Sequence, residues 1–201
     1  HVVDHYAQLL EMLGIYLRER ELELMPTRGE QAEAQQRLRA LGVESQHVIG
    51  LVPAGGVSWG GQAHFRRWSK DGFIYIGQAL AQRPSTAILV FGEPKDVETC
   101  GAIARAIGPS AKDLSGQTGL GEFVSLIGCC DVVISNDGGP IHIAASQGVR
   151  TVSIFGPVDP DVYGPYPRTS SHRVVYRPEL PCRPCYHQFK LPPCPYERAC
   201  L

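Results

Sequence analysis

Short apolar runs alternate with longer helix-forming stretches from position 47 to position 176, and this alternation constrains the fold more than any other feature of the chain. Strands separated by helices build a mainly parallel sheet, which selects an α/β architecture. The strand candidates are 47–52, 86–91, 131–135, 150–155 and 172–176, with a short edge candidate at 112–115. The middle three are nearly continuous apolar runs rich in β-branched residues, as strands covered on both faces require. Helices are expected over 29–42, 69–83, 93–108 and 119–130. Gly42 supplies a stop for the first of these and Ser69 a cap for the second. The opening stretch to position 24 reads as one more helix, with an apolar stripe of Val2, Val3, Tyr6, Leu9, Leu10 and Leu13.

With 201 residues the chain is one domain or slightly more. A chain of this size buries roughly 70% of its extended surface, so it needs neither disulfide nor metal to hold a core. The 19 Lys+Arg residues against 20 Asp+Glu residues leave a net charge of −1. That balance excludes nucleic-acid binding through bulk electrostatics, and any anion site has to be local. No apolar stretch approaches the roughly 20 residues of a membrane span. The chain opens on His1 rather than on methionine and without a signal-peptide pattern, and is expected to be a piece of something longer. Three parts are expected: a leading helix and linker over 1–44, a ligand-binding α/β unit over 45–176, and a Cys/Pro-rich tail over 177–201.

In open α/β sheets, ligands bind outside the carboxyl ends of the strands. Three loops there have useful chemistry. The first, "PAGGVSWGGQAHFRRWS", contains Gly55, Gly56, Ser58 and the pair Arg66–Arg67, and arginine grips phosphate oxygens bidentately. Trp68 can anchor this loop against the sheet. The second, "GEPKD", brings Gly92 and Glu93. The third, "NDGGP", leads into an apolar run that reads as a helix. Gly138 and Gly139 let backbone approach a ligand closely, Pro140 suits a first helical turn, and free amides at a helix start attract an anion. Asp137 has two readings, a helix cap or an acceptor for ligand hydroxyls beside the phosphates. His142 likewise reads either as a ligand contact or as a structural histidine. The run "GLGEFVSLIG" begins like a dinucleotide fingerprint, but Val124 stands where its third glycine belongs, so that signal fails. Neither a nucleophile elbow nor a Walker-type phosphate loop is present in the sequence.

These motifs, in their order, resemble glycosyltransferase family 9, the lipopolysaccharide heptosyltransferases and their relatives. "NDGGPIHIAASQGVRTVSIFGPVDPDVYGPY" is similar to the family's Asp-Ser/Thr-Gly-Pro-x-His-x-Ala-Ala segment with its following Phe-Gly-Pro turn. "VPAGGVSWGGQAHFRRW" and "DLSGQTGLGEFVSLIGCCDVVISND" resemble two further family runs, and a Cys-x-x-Cys tail is shared as well. The resemblance implies a Rossmann-like parallel sheet forming the C-terminal, donor-binding lobe of a GT-B glycosyltransferase. It implies transfer of heptose from ADP-heptose to the lipopolysaccharide inner core, with inversion and no required metal or other cofactor. The implied donor-binding residues are Gly55, Gly56, Ser58, Arg66, Arg67, Gly92, Glu93, Asp137, Gly138, Gly139, Pro140 and His142. Of these, Asp137 and Arg66 are the implied catalytic pair, Asp137 meeting heptose hydroxyls and Arg66 the leaving diphosphate. The implied location is cytoplasmic, peripheral to the inner membrane of a Gram-negative bacterium.

The chain departs from the family pattern at Gly138, where Ser or Thr is usual, and at Arg66, where Lys is common. The family's general base and acceptor site belong to an N-terminal lobe, so this chain alone is expected to bind donor without transferring sugar. Cys182, Cys185, Cys194 and Cys200 crowd into the tail, and structural zinc, disulfides and free thiols all fit their spacing. Cys100, Cys129 and Cys130 read as buried thiols. Two alternatives to sugar transfer are a GT-B-like sugar-nucleotide epimerase and a non-catalytic, zinc-stabilised interaction module.

Overall fold

The computed structural model describes residues 1–44, 46–55, 57–186 and 190–201, without the side chains of 57–61. Its centre is a six-stranded sheet in the order β3-β2-β1-β4-β5-β6. The strands are β1 His47–Val52, β2 Thr86–Val90, β3 Ala111–Asp113, β4 Val132–Asn136, β5 Arg150–Ile154 and β6 His172–Val175. Every pairing is parallel. The four central strands were legible as apolar runs because they are covered on both faces. The edge strands are only half-buried, and β3 lies at Ala111–Asp113, one residue ahead of the 112–115 candidate.

The two faces are nonetheless distinct. Val48, Val52, Ala87 and Leu89 point into one core layer, with Leu38 of α2 (Arg28–Ala40), Leu126 and Ile127 of α5 (Leu120–Gly128) and Ala144 of α6 (Gly139–Ser146). Ile49, Leu51, Ile88 and Val90 point the other way, onto Phe73 of α3 (Lys70–Ala81) and Ile103 of α4 (Val97–Ile107). The period of two is the pleat itself, and its two halves need opposite helix layers. Phe73 is fully buried and meets Trp68 edge-on at 5.3 Å between ring centres. Phe73→Ala is expected to cost about 3–5 kcal/mol by cavity formation, read as a fall in the urea midpoint with an unchanged slope.

Local chemistry fixes the helix starts. Thr27 caps α2, its hydroxyl accepting from the Glu30 amide at 3.3 Å while Glu30 Oε2 accepts from the Thr27 amide at 2.6 Å. Ser69 caps α3, accepting from the Gly72 amide at 3.0 Å. The helix α2 ends at Ala40, and Gly42 turns the chain at φ +68°.

Three expectations change. The opening helix α1 is only Val2–Met12, and only half of its stripe is covered: Tyr6, Leu9 and Leu13 are exposed, Val2, Val3 and Leu10 are half-buried, and Ala7 is buried. The stretch 93–108 divides into a 3-10 turn, Pro94–Asp96, and α4, since proline at the start favours the tighter turn. The glycine-rich segment after β1 is wound as 3-10 helix over Val57–Arg66, rather than being an open loop. A short helix α7, Pro160–Tyr163, follows β5. No helix among the described residues is long and apolar enough to cross a membrane.

Candidate functional site

From β1 the chain steps outward in both directions, to β2 and β3 on one side and to β4, β5 and β6 on the other. Such a reversal of strand order leaves a crevice beyond the carboxyl ends of the central strands. A cleft of about 460 Å³ opens there. Val52, Ala54 and Gly55 line it from the end of β1, and Gly92, Glu93, Pro94 and Asp96 from the loop after β2. The starts of two helices complete it, with Thr118, Gly119, Leu120 and Phe123 at α5 and Gly139, Pro140 and Ile143 at α6. The volume lies in the range of small-ligand sites.

Both helices begin on glycine. Gly119 precedes α5 and Gly138 precedes α6, and neither start has a capping side chain, unlike those of α2 and α3. Two sets of first-turn amides and two positive dipole ends therefore face one cleft, an arrangement that favours an anion. Both Gly139 and Gly119 line the cleft, and an added Cβ at either would meet nothing within 4 Å. Gly55 is different: its φ of +104° is a conformation that side chains rarely adopt. Gly92 owes its identity to packing, since a Cβ there would lie 2.6 Å from Cys100 Sγ.

The predicted arginines and Asp137 are close to one another. Arg66 donates to Asp137 Oδ2 through Nε at 2.9 Å, and its Nη2 lies 2.8 Å from the same oxygen. Asp137 is 4% exposed. Burial pushes its carboxyl above the ordinary value, and Arg66 pulls it back down. Asp137 does not cap α6, which corrects that reading; it is a buried counter-ion to Arg66. The pair is neutral overall, so Asp137 no longer opposes a nearby diphosphate. Arg67 donates to the Gly55 carbonyl at 2.9 Å and stands 3.7 Å from Asp96, tying the β1 and β2 loops together beneath the cleft. His142 lies one turn into α6, where burial first and then the Arg66 charge lower its pKa. The Glu93 carboxylate sits on the exposed rim, 3.0 Å from Lys95 Nζ. Gly56 and the side chain of Ser58 lie outside the described residues.

Two contributors were missed in the sequence. Asn136 is 2% exposed; its amide donates to the Pro53 carbonyl at 2.7 Å, and its oxygen accepts from the Trp68 amide at 2.8 Å. It thereby fixes the Arg66–Trp68 segment against the end of β1. Its only sequence signal was its place in "SNDGGP". The start of α5 was set aside as a broken dinucleotide fingerprint, yet Gly119 serves as a bare helix start and Gly121 as a packing position against Glu30 of α2. Of the three cysteines read as buried, Cys100 and Cys130 are buried and Cys129 is half-buried. Burial, helped by Asp96 and Asp113, pushes the Cys100 thiol up to about 12.

The family model described as glycosyltransferase family 9 (heptosyltransferase) matches residues 1–193. The chain belongs to glycosyltransferase family 9. Lipooligosaccharide heptosyltransferase 2 of Campylobacter jejuni is 32% identical over 142 residues, which cover 69% of this chain and 42% of that protein. A solved family 9 glycosyltransferase from Veillonella parvula superposes with a TM-score of 0.75 at 26% identity, covering 87% of this chain and 49% of that one. The E. coli heptosyltransferase WaaC, solved with ADP, shares the fold with a TM-score of 0.58 at 20% identity, over 82% of this chain and 46% of its own. The chain thus spans about half the length of the family 9 proteins that it matches, and it has the parallel sheet of their GT-B architecture.

Proposed function

We propose that the cleft beyond β1, β2 and β4 binds the nucleoside diphosphate of a sugar nucleotide, and that the chain is the donor lobe of an inverting heptosyltransferase. The observation that carries this reading is the convergence of two uncapped helix starts on one cleft in a family 9 chain. The donor is ADP-heptose and the acceptor the lipopolysaccharide inner core, reached through an N-terminal lobe outside these 201 residues. Family membership favours transfer over the epimerase and over the non-catalytic module.

In the reaction an acceptor hydroxyl attacks the anomeric carbon from the face opposite the diphosphate. The bond from that carbon to the phosphate oxygen breaks, ADP departs with the electron pair, and the hydroxyl proton passes to a base in the acceptor lobe. Negative charge grows on the leaving diphosphate. The helix starts of α5 and α6 line the cleft that receives it, and the neutral Arg66–Asp137 pair contributes hydrogen-bonding groups rather than net charge, so stabilisation needs little reorganisation. Asp137, held in place by Arg66, is the proposed acceptor for the sugar hydroxyls. No metal enters this scheme.

Calorimetric titration with ADP, UDP and GDP tests the reading, using the parent chain and Gly139→Val. Gly139 lines the cleft, and a Cβ added there would meet no protein atom within 4 Å. ADP is expected to bind best, and the variant to lose about tenfold or more in affinity, roughly 1.4 kcal/mol, with its melting temperature nearly unchanged. Equal ADP affinity in parent and variant would displace the site from this cleft.

A further inference from the structure

Away from the cleft, the tail folds back over the turn that follows β5. Arg183 donates to the Gly156 carbonyl and, at 3.2 Å, to that of Val158, while the amides of Cys185 and Tyr186 donate to the Pro157 carbonyl. Within this cover lies a small, partly enclosed space of about 20 Å³, room for roughly one water-sized sphere. Cys182, Cys185, Cys194 and Cys200 all line it, four thiols drawn from the whole length of the tail. Its remaining walls include Phe65, Leu180 and Leu191. All four are free thiols, and among the described residues no group of three His, Cys, Asp or Glu side chains is placed to hold a metal ion as the thiols stand.

Apolar walls make this a poor place for water, and four thiols around one atom-sized space are the donor set of a soft tetrahedral cation. The backbone contributes as well. The Arg198 amide donates to Cys194 Sγ at 3.3 Å, a contact that strengthens when the sulfur becomes a thiolate. We propose that Cys182, Cys185, Cys194 and Cys200 close on one zinc-type divalent cation, which locks the tail onto the segment that carries Arg66. Rotation about the Cβ bonds moves the sulfurs inward, each thiol releases its proton to solvent, and four sulfur–metal bonds form. The link to the donor site is short. Phe65 walls the thiol cavity and precedes Arg66, and Arg198 in the tail donates to the His64 carbonyl at 2.8 Å.

The test is metal analysis of the 201-residue chain, purified under reducing conditions without chelator from zinc-supplemented cells. One zinc per chain is expected, lost in both Cys182→Ser and Cys200→Ser and retained in Cys129→Ser, whose sulfur lies elsewhere. Cobalt exchanged into the site should show the intense visible bands of tetrahedral thiolate coordination. Metal should be released as the pH falls, because protons compete for the sulfurs. On metal removal, amide exchange across 62–66 should accelerate. A folded, reduced chain without stoichiometric metal overturns the proposal, as does metal retained in the double variant Cys182→Ser/Cys200→Ser. Disulfide formation among the four in place of metal overturns it equally, and unchanged exchange across 62–66 overturns the lock on the Arg66 segment. None of these readouts depends on nucleotide binding.

Discussion

Arg66→Ala is expected to destabilise the chain by about 3–5 kcal/mol at neutral pH, because it leaves the Asp137 carboxylate buried without its partner. The effect should depend on pH in a defined direction. Burial already raises the Asp137 pKa, and the arginine restrains that rise. Without the arginine, the folded-state value climbs further. An acid with a raised folded-state pKa contributes its stability below its unfolded value and loses it as the pH climbs through the folded one. The deficit of Arg66→Ala is therefore largest near neutrality and shrinks on acidification toward the range where Asp137 is protonated. Denaturant titrations of parent and variant at several pH values measure it directly. The double variant Arg66→Ala/Asp137→Asn should recover part of the loss, since no charge remains to be buried. A loss independent of pH would show that the arginine acts through packing alone.

Asn136→Ala is the second large effect. It strands two polar groups at once, the Pro53 carbonyl and the Trp68 amide, each costing about 1–3 kcal/mol when buried and unpaired. A total of roughly 2–6 kcal/mol is expected, with a fall in nucleotide affinity because the arginine-bearing segment loses its anchor. Asn136→Asp separates the two bonds. A carboxylate can still accept from Trp68, but it faces the Pro53 carbonyl without a proton to give and adds a second charge beside Asp137. If Asn136→Asp proves as stable as the parent, the Pro53 contact contributes nothing. Thermal unfolding combined with ADP titration distinguishes loss of fold from loss of site.

The elements easiest to read in the sequence were those whose chemistry is local or nearly so. The run "TAILVF" could only be a strand covered on both faces, and Ser69 and Gly42 punctuate helices through their own hydrogen bonds and dihedral angles. The opening stretch misled because an apolar stripe at helical spacing shows that a face exists, without showing what covers it. Tyr6, Leu9 and Leu13 have no core behind them in this chain. The broken glycine fingerprint misled for a related reason. It was compared with one known pattern, whereas Gly119 acts only as a helix start without a side chain, a role that needs no third glycine.

The sequence by itself determined the class of sheet, the order of its strands and helices along the chain, and the family. These depend on periodicity and on motifs that lie in continuous stretches. It also placed glycine at the starts of the two helices that face the cleft. Only the tertiary structure decided that those starts converge, because convergence follows from the reversal of strand order between β1 and β4, 83 residues apart in pairings such as Val52 with Ser135. Only folding made Asp137, read in sequence as a helix cap or a ligand contact, the counter-ion of Arg66, 71 positions away. Burial made that choice: a carboxylate removed from water needs a cation, and the end of the Val57–Arg66 turn brings one within reach.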